Sequence, residues 1–560
     1  MSTDRAVDNN SCISSEHNAS KRVLSCTNIF FKQLIKRKPM NILQAEIDTQ
    51  NVLRRDLTGI QLFAITIGNI IGFGIFVLSG QTAAIYAGPS VIISFVITGI
   101  IALLASLSYS ELATMMPSCG SVYTYTYAAL GEYLAWFIGW NSALLYLFAI
   151  LTEAVAWSKQ VVQFIDIVFD YNVTSRFVQA PIAWNKDADR FFVTDQAIDL
   201  PALGIIIAIT ILLIIRTRKM AIVNLILVVI KVTILLIFIF ACCHYVDRTN
   251  YYPFFPPNQG SLTAYGVTGM LHACTHVFFA YVGFDSVSTV AQEAKSPGRS
   301  LPVATIGSTI FSSLLYIGIC TVMVGLVPYE SLQSDTPLSV AIKATPYGLW
   351  LSVLMSLGAI AGLTTVSLTI MLAQTRLFYS MAHDGLLPPI FAKIYPQTAT
   401  PWVSILICGL FCAAFSCILP VDMFGEIASI GALITYMFAH TIVTVMRLTH
   451  RNMQRVFKVP FGSWLIPTIG SLLCILLMTG IRRATGFRFV VWTAFGQIVY
   501  FSYGFWHSKQ RKLMKSVSSV NIVNVSSTKE NATEENARNI YDLRLDIVNT
   551  ESAVQKTDFF

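Results

Sequence analysis

Charge is what this sequence has least of. Asp, Glu, Lys and Arg make up 12% of its 560 residues, where a soluble domain carries about 25%. With 54% hydrophobic residues and a mean hydropathy of +0.63, the chain reads as an integral membrane protein. Histidine is scarce too, at 8 residues, and His272 and His276 alone form a pair four apart on one helical face. Membrane diiron or haem enzymes need several histidine boxes, or histidines on facing helices. One pair is too few, so no enzyme, resident metal or other cofactor is expected; polar lining of an aqueous path is the better use for it. A GxxxxGK[ST] phosphate loop is missing, which argues against a primary pump. The 11 Cys lie mostly inside apolar runs and imply neither a disulfide framework nor a zinc site. The net charge of +8 is spread over loops and tails, which points to lipid headgroups and topology rather than nucleic acid. No short cleavable signal peptide is expected at the polar, basic amino end.

Long apolar runs are what the chain has in abundance. They fall at about 57–84, 89–115, 132–167, 199–215, 220–243, 264–290, 303–327, 347–381, 402–419, 424–447, 463–481 and 488–506. Hydropathy therefore predicts about twelve membrane helices, here spans one to twelve, in an all-α fold. Residues 1–56 form an amino-terminal tail, 57–507 the transmembrane domain, and 508–560 a polar tail expected to be disordered. In the first tail, Asn28 to Lys38 places Phe30, Phe31, Leu34 and Ile35 on one face, as in a short helix on an anionic leaflet. Basic residues favour the loops on the side of the tails, so both termini are expected in the cytoplasm. Arg482, Arg483 and Arg488 disagree, because they fall outside in this topology. Asn172-Val173-Thr174 is a glycosylation sequon in the largest expected outer loop.

Span one reads TGIQLFAITIGNIIGFGIFVLSG, with Gly68, Gly72 and Gly74 in its middle. A membrane helix gains nothing from glycine's freedom there, and opened backbone at that depth survives only against protein or a water-filled cavity. Two readings follow: close helix packing on small residues, or a helix broken near Ile70 to Gly74 with bare amides and carbonyls. Span six supports the second. At its centre Gly283 precedes Asp285 and Ser286, both good helix N-caps. Two interrupted helices five spans apart are the sequence sign of an inverted-repeat transporter with its substrate site between the breaks. The repeats are expected at about 57–245 and 264–447, followed by two extra helices.

GNIIGFGIFVLSG with AGPS, YSELATMMPSCGSVYTYTY, FFAYVGFDSVSTVAQEAKSPGRSLP and MAHDGLLPPIF together resemble the amino acid–polyamine–organocation transporters. Within that superfamily they resemble the cationic amino-acid transporter family and its bacterial relatives, over about residues 25 to 510. The resemblance implies a LeuT-like fold of five plus five helices and amino-acid transport by alternating access. It implies a substrate carboxylate at the amides near Gly72, Phe73 and Gly74, and an ammonium at the carbonyls of Ile70, Phe279, Ala280 and Val282. Phe73 stands where those relatives carry a small residue, so its ring either narrows the pocket or points into lipid. The stretch from Phe169 to Asp199 lacks cysteine, so no disulfide-linked heavy chain is expected.

Ionisable groups at bilayer depth cost about 2.5–3.5 kcal/mol on insertion scales and mark function by default. Lys231 lies about 15 Å from either end of span five at helical rise, beyond the reach of a snorkelling side chain. In LeuT-like symporters a sodium ion ties the first helix to span eight; the resemblance implies that this lysine takes that place, with proton coupling as one consequence. A purely structural pairing with Glu153 or Asp285 is the alternative. Glu153 is a candidate for recognising a cationic side chain, Asp285 a helix cap or gate, and Glu111 a latch on the inner side. The expected function is sodium-independent transport of amino acids, arginine and lysine first, by proton symport, uniport or exchange. Neutral amino-acid symport and a non-transporting sensor of the same fold are the alternatives. Partners are the amino acid, the bilayer and possible protons; the plasma membrane is the expected location, with an endolysosomal or vacuolar membrane as the alternative.

Overall fold

Thr58 caps span one in the computed structural model: its hydroxyl accepts from the Gln61 amide, and the Gln61 side chain accepts from the Thr58 amide at 2.9 Å. This reciprocal capping satisfies two amides that a helix start leaves bare. The helix Gly59–Ile70 then stops at Ile71, whose backbone is extended (φ −85, ψ 95). It restarts as wide π turns at Gly74–Leu78, α turns at Ser79–Thr82 and π turns again at Ala83–Ala87. Span six behaves alike. Gly266–Val277 tightens into Phe278–Tyr281, Val282 is extended, and short turns resume at Ser286–Thr289. Gly283 has φ +120, a conformation open to glycine and costly for other residues. The structure describes residues 32–49, 55–170, 176–185, 190–215, 217–258, 260, 263–398, 400–419, 424–461 and 464–513.

Each of the twelve apolar runs has a helical counterpart. Seven described segments are long and apolar enough to cross a membrane. The first, Gly59–Met115, has 57 residues, about 85 Å of helix at 1.5 Å per residue, and so holds spans one and two on either side of Gly88–Ser90. Glu132–Phe169 is span three, Leu200–Ile215 span four, Thr217–Cys242 span five, Pro297–Leu326 span seven and Gly348–His383 span eight. Trp402–Ser416 is span nine and Phe424–Thr449 span ten. Leu465–Thr479 and the helix from Arg483, spans eleven and twelve, meet at 114°. A two-stranded hairpin between spans three and four, Ile182–Asn185 with Arg190–Val193, has no counterpart among the sequence expectations.

Span two packs along span seven, three along eight, and four along nine. Each partner lies five helices further on in the chain. Span three is the most deeply packed of the seven, with 83% of its most apolar window buried against protein, whereas span five has only 33% buried. Span twelve leans on span three through stacked Trp140 and Trp492, 5.0 Å apart, with the Trp136 indole donating to the Gly496 carbonyl at 3.0 Å.

On the side of the amino end, Lys38 is buried and pairs with Asp384 at 2.7 Å and Glu46 at 2.6 Å. The leaflet-facing role expected for its segment therefore does not extend to Lys38. Phe30, Phe31, Asn172 and nearly all of the 508–560 tail lie outside the described residues.

Candidate substrate and coupling site

The two interruptions meet each other. The Asn69 side-chain amide donates to the Gly283 carbonyl at 2.7 Å. The Tyr316 hydroxyl, from span seven, lies 2.7 Å from the Ile70 carbonyl oxygen and 3.0 Å from that of Ala280, its single proton serving both. A tyrosine thus holds two of the four carbonyls assigned to a substrate ammonium. Of the others, Phe279 accepts from the Val282 amide at 3.1 Å, closing the turn before the break.

The glycines of span one have separate reasons to be glycine. A β-carbon on Gly74 would overlap the Ala280 α-carbon, so this residue is where the two broken helices touch. One on Gly72 would stand 2.6 Å from a Val366 methyl and 2.8 Å from a Glu153 oxygen. One on Gly68 would meet the Asn224 side chain at 2.7 Å. The packing and broken-helix readings are therefore both realised, the first at Gly74 and the second around Gly72.

Lys231 is fully buried, on the inner face of a helix whose other face is exposed. Its ammonium donates to the Gly68 carbonyl at 2.9 Å, the Ile71 carbonyl at 2.7 Å and the Thr365 hydroxyl oxygen at 2.7 Å. Its three donors tie the end of the first half-helix to span eight. No ion pair within 4.0 Å joins it to Glu153 or Asp285 among the described residues, although the Glu153 carboxylate is near enough for the two charges to act on each other.

Glu153 is 2% exposed. Both its carboxylate oxygens lie 3.3 Å from the Phe73 amide nitrogen, so its acid group sits at the freed amide of the break itself. The Phe73 ring is buried and packs edge-on against Phe279, with centroids 6.2 Å apart; it narrows the pocket and does not face lipid. Above this ring pair opens a cavity of about 110 Å³ on the side away from the amino end, lined among others by His276, Glu426 and Arg482. Arg482 pairs with Glu426 at 3.3 Å, and Lys159 with Asp335 at 3.0 Å across the same mouth. His276 stacks on Tyr86 at 4.5 Å, and His272 lies 5.0 Å from His276. Neither histidine belongs to a cluster able to hold a metal among the described residues.

Asp285 is a correction. It precedes the short helix Ser286–Thr289 but makes no side-chain cap. Its carboxylate instead accepts from the Tyr146 hydroxyl at 2.5 Å and the Tyr436 hydroxyl at 2.9 Å, joining spans three, six and ten. Glu111 lies at the opposite end of the bundle from the cavity, held by Arg447 at 2.5 Å, by Arg455 at 3.3 Å and by the Val459 amide at 2.8 Å. Glu293 pairs there with buried Arg376 at 2.7 Å. Tyr316, Tyr146, Tyr436 and Asn69 were not among the expected site residues. The signal available was a polar tip in mid-span, which many tyrosines and asparagines share.

Residues 57–502 match the family described as amino acid permease. The branched-chain amino acid permease BcaP of Bacillus subtilis is 34% identical over 477 residues, 85% of this chain and 98% of that one. The methylthioribose transporter of the same organism is 34% identical over 479 residues, 86% and 99% of the two chains. The vacuolar cationic amino acid transporter 4 of Arabidopsis thaliana is 32% identical over 431 residues, 74% and 67%. With a multi-pass helical bundle, two facing broken helices and a match over this length, the chain belongs to the amino acid permease family.

Proposed function

We propose that this protein is a secondary transporter that moves amino acids by alternating access without sodium. The observation that carries the proposal is the Lys231 ammonium, bound to the Gly68 and Ile71 carbonyls and to Thr365. A fixed cation there does the mechanical work that a bound sodium would otherwise do, joining span one to span eight. The first break, around Gly72 and Phe73, receives the substrate carboxylate on freed amide donors. The carbonyls of Ile70, Phe279, Ala280 and Val282 receive the ammonium once the Tyr316 hydroxyl turns away. The cavity ending at Phe73 and Phe279 is the outer path, and the clusters at Glu111, Glu293 and Lys38 close the cytoplasmic side. No step alters the substrate, so the protein is not an enzyme.

Arginine and lysine are the first reading of the substrate, on the sequence resemblance. Neutral amino acids are the second, favoured by the Phe73–Phe279 wall of the site and by the name of the BcaP relative. The plasma membrane with cytoplasmic termini is the proposed location; the vacuolar relative keeps an internal membrane as the alternative. Uptake of labelled amino acids into proteoliposomes tests transport against the sensor reading, and a competition panel of arginine, lysine, leucine and alanine identifies the substrate. Absence of uptake for all four would overturn the proposal.

A further inference from the structure

We propose that Glu153 is a built-in stand-in for the substrate carboxylate, and that it gives up the Phe73 amide by taking a proton as that carboxylate arrives. This rests on the reading that the first break receives the substrate's carboxylate.

The geometry leaves room for one carboxylate. Both Glu153 oxygens lie 3.3 Å from the Phe73 nitrogen, and they would come within 2.8 and 3.0 Å of a β-carbon on Gly72. A second acid cannot reach that amide while Glu153 holds it. The bond is also exchangeable: one N–H shared between two oxygens at 3.3 Å is longer than the usual 2.9–3.0 Å. Asp285, the other acid near the breaks, is engaged by two tyrosine hydroxyls and is not the competitor.

Charge decides how Glu153 leaves. The charged or titratable groups facing it are the Lys231 ammonium from span five and the Tyr316 phenol from span seven. Span one offers it an amide, and span eight a Val366 methyl beside Gly72. One ammonium thus faces one carboxylate in a buried site. The substrate's ammonium goes to the carbonyls of the two breaks, so what the substrate adds beside the Phe73 amide is a second carboxylate facing one ammonium, the condition that drives one of two acids to protonate. The step balances. The substrate's carboxylate and one proton enter from the cavity, and the Glu153 carboxylate becomes a carboxylic acid. The Phe73 N–H bond to Glu153 breaks and one to the substrate forms. The carboxylate charge facing Lys231 is unchanged, the substrate keeps its ammonium at the carbonyls of the breaks, and each substrate carries one proton with it.

Calorimetry on the purified full chain tests this, with L-arginine and L-leucine as probes in two buffers of different ionisation heat. Wild type should take up about one proton per substrate bound, its affinity falling by at most tenfold per pH unit toward alkaline pH. Infrared difference spectra should show a new carboxylic acid C=O band on binding. E153Q should bind with no proton uptake, no such band and no pH dependence. Zero protons for wild type, or the same uptake in E153Q, would overturn the proposal; the wild-type count and spectrum stand even if E153Q fails to fold. Agmatine, which is arginine without its carboxylate, adds a further arm. If agmatine binds wild type more tightly than arginine does and loses that binding in E153Q, Glu153 is a fixed counter-ion and the proposal falls. Normal binding by Gly72→Val would instead overturn the underlying site reading.

Discussion

Lys231 shows how much one residue can fix. An ammonium at bilayer depth costs about 2.5–3.5 kcal/mol on insertion scales, and here each of its three donors has an acceptor. Replacing it by methionine keeps the volume but strands the Ile71 carbonyl, at about 1–3 kcal/mol for a buried group left unsatisfied, and leaves the Gly68 carbonyl only the Thr365 hydroxyl at 3.0 Å. Lys231→Met should reach the membrane in amounts near wild type but lose at least tenfold in uptake; wild-type uptake at equal surface expression would sink its role. Tyr316→Phe should cost less, about five- to tenfold, because the paired breaks keep their other contacts, and the same uptake assay measures it. The two residues were unequally legible. A lysine ten residues from either end of an apolar run announces itself, whereas a mid-span tyrosine looks like packing until two carbonyls are found at its hydroxyl. Glu153 was visible as an acid in span three, but nothing in its neighbours said that it would reach the amide of Phe73.

At the scale of elements, the broken helices divide their tolerance unevenly. Gly74 meets backbone of span six, which cannot move aside, whereas Gly72 meets the ends of two side chains. Gly74→Val should therefore lower the amount of folded protein, and Gly72→Val should leave it near normal while abolishing uptake. Surface labelling beside an uptake assay separates the two; equal folding of both would contradict the packing read at Gly74. Glycine spacing made the first break legible, and Gly283 the second. The cap at Asp285 was misread because local sequence cannot show that tyrosines from spans three and ten converge on that carboxylate. The loop before span twelve was misleading for a similar reason. Arg482 looks like a topological exception, yet it pairs with Glu426 at the mouth of the cavity. That pair is partly exposed, and such pairs contribute about 0.2–1 kcal/mol. Arg482→Ala should thus raise thiol labelling of a Gln81→Cys reporter in the cavity no more than about fivefold; a fall in labelling would exclude a closing role.

Among the described residues, buried ion pairs close the amino-terminal side, whereas the cavity on the other side has only partly exposed pairs at its mouth. Burial lowers the pKa of Lys38, but the Asp384 and Glu46 carboxylates outweigh it and raise the net value. Burial alone would raise Asp384, and Lys38 with His383 outweighs that to lower it. The signs set the window. The depressed Asp384 contributes stability above its unfolded pKa of about 3.9, lost as pH falls through its folded value. The raised Lys38 contributes below about 10.4, lost as pH rises through its own. The latch should hold unchanged from about pH 5 to 9, and Lys38→Met, which removes the ammonium that two acids share, should destabilise by about 3–5 kcal/mol. A Tm for Lys38→Met equal to wild type at neutral pH would contradict this. The apolar runs and the two breaks were legible because hydropathy and glycine placement are local. The latch was not, since Lys38 and Asp384 lie 346 residues apart. The central claim, that a fixed ammonium stands in for sodium between spans one and eight, is tested most directly by uptake into proteoliposomes with sodium replaced by choline. Uptake should be unchanged in choline for wild type, and a strict requirement for sodium would contradict the account.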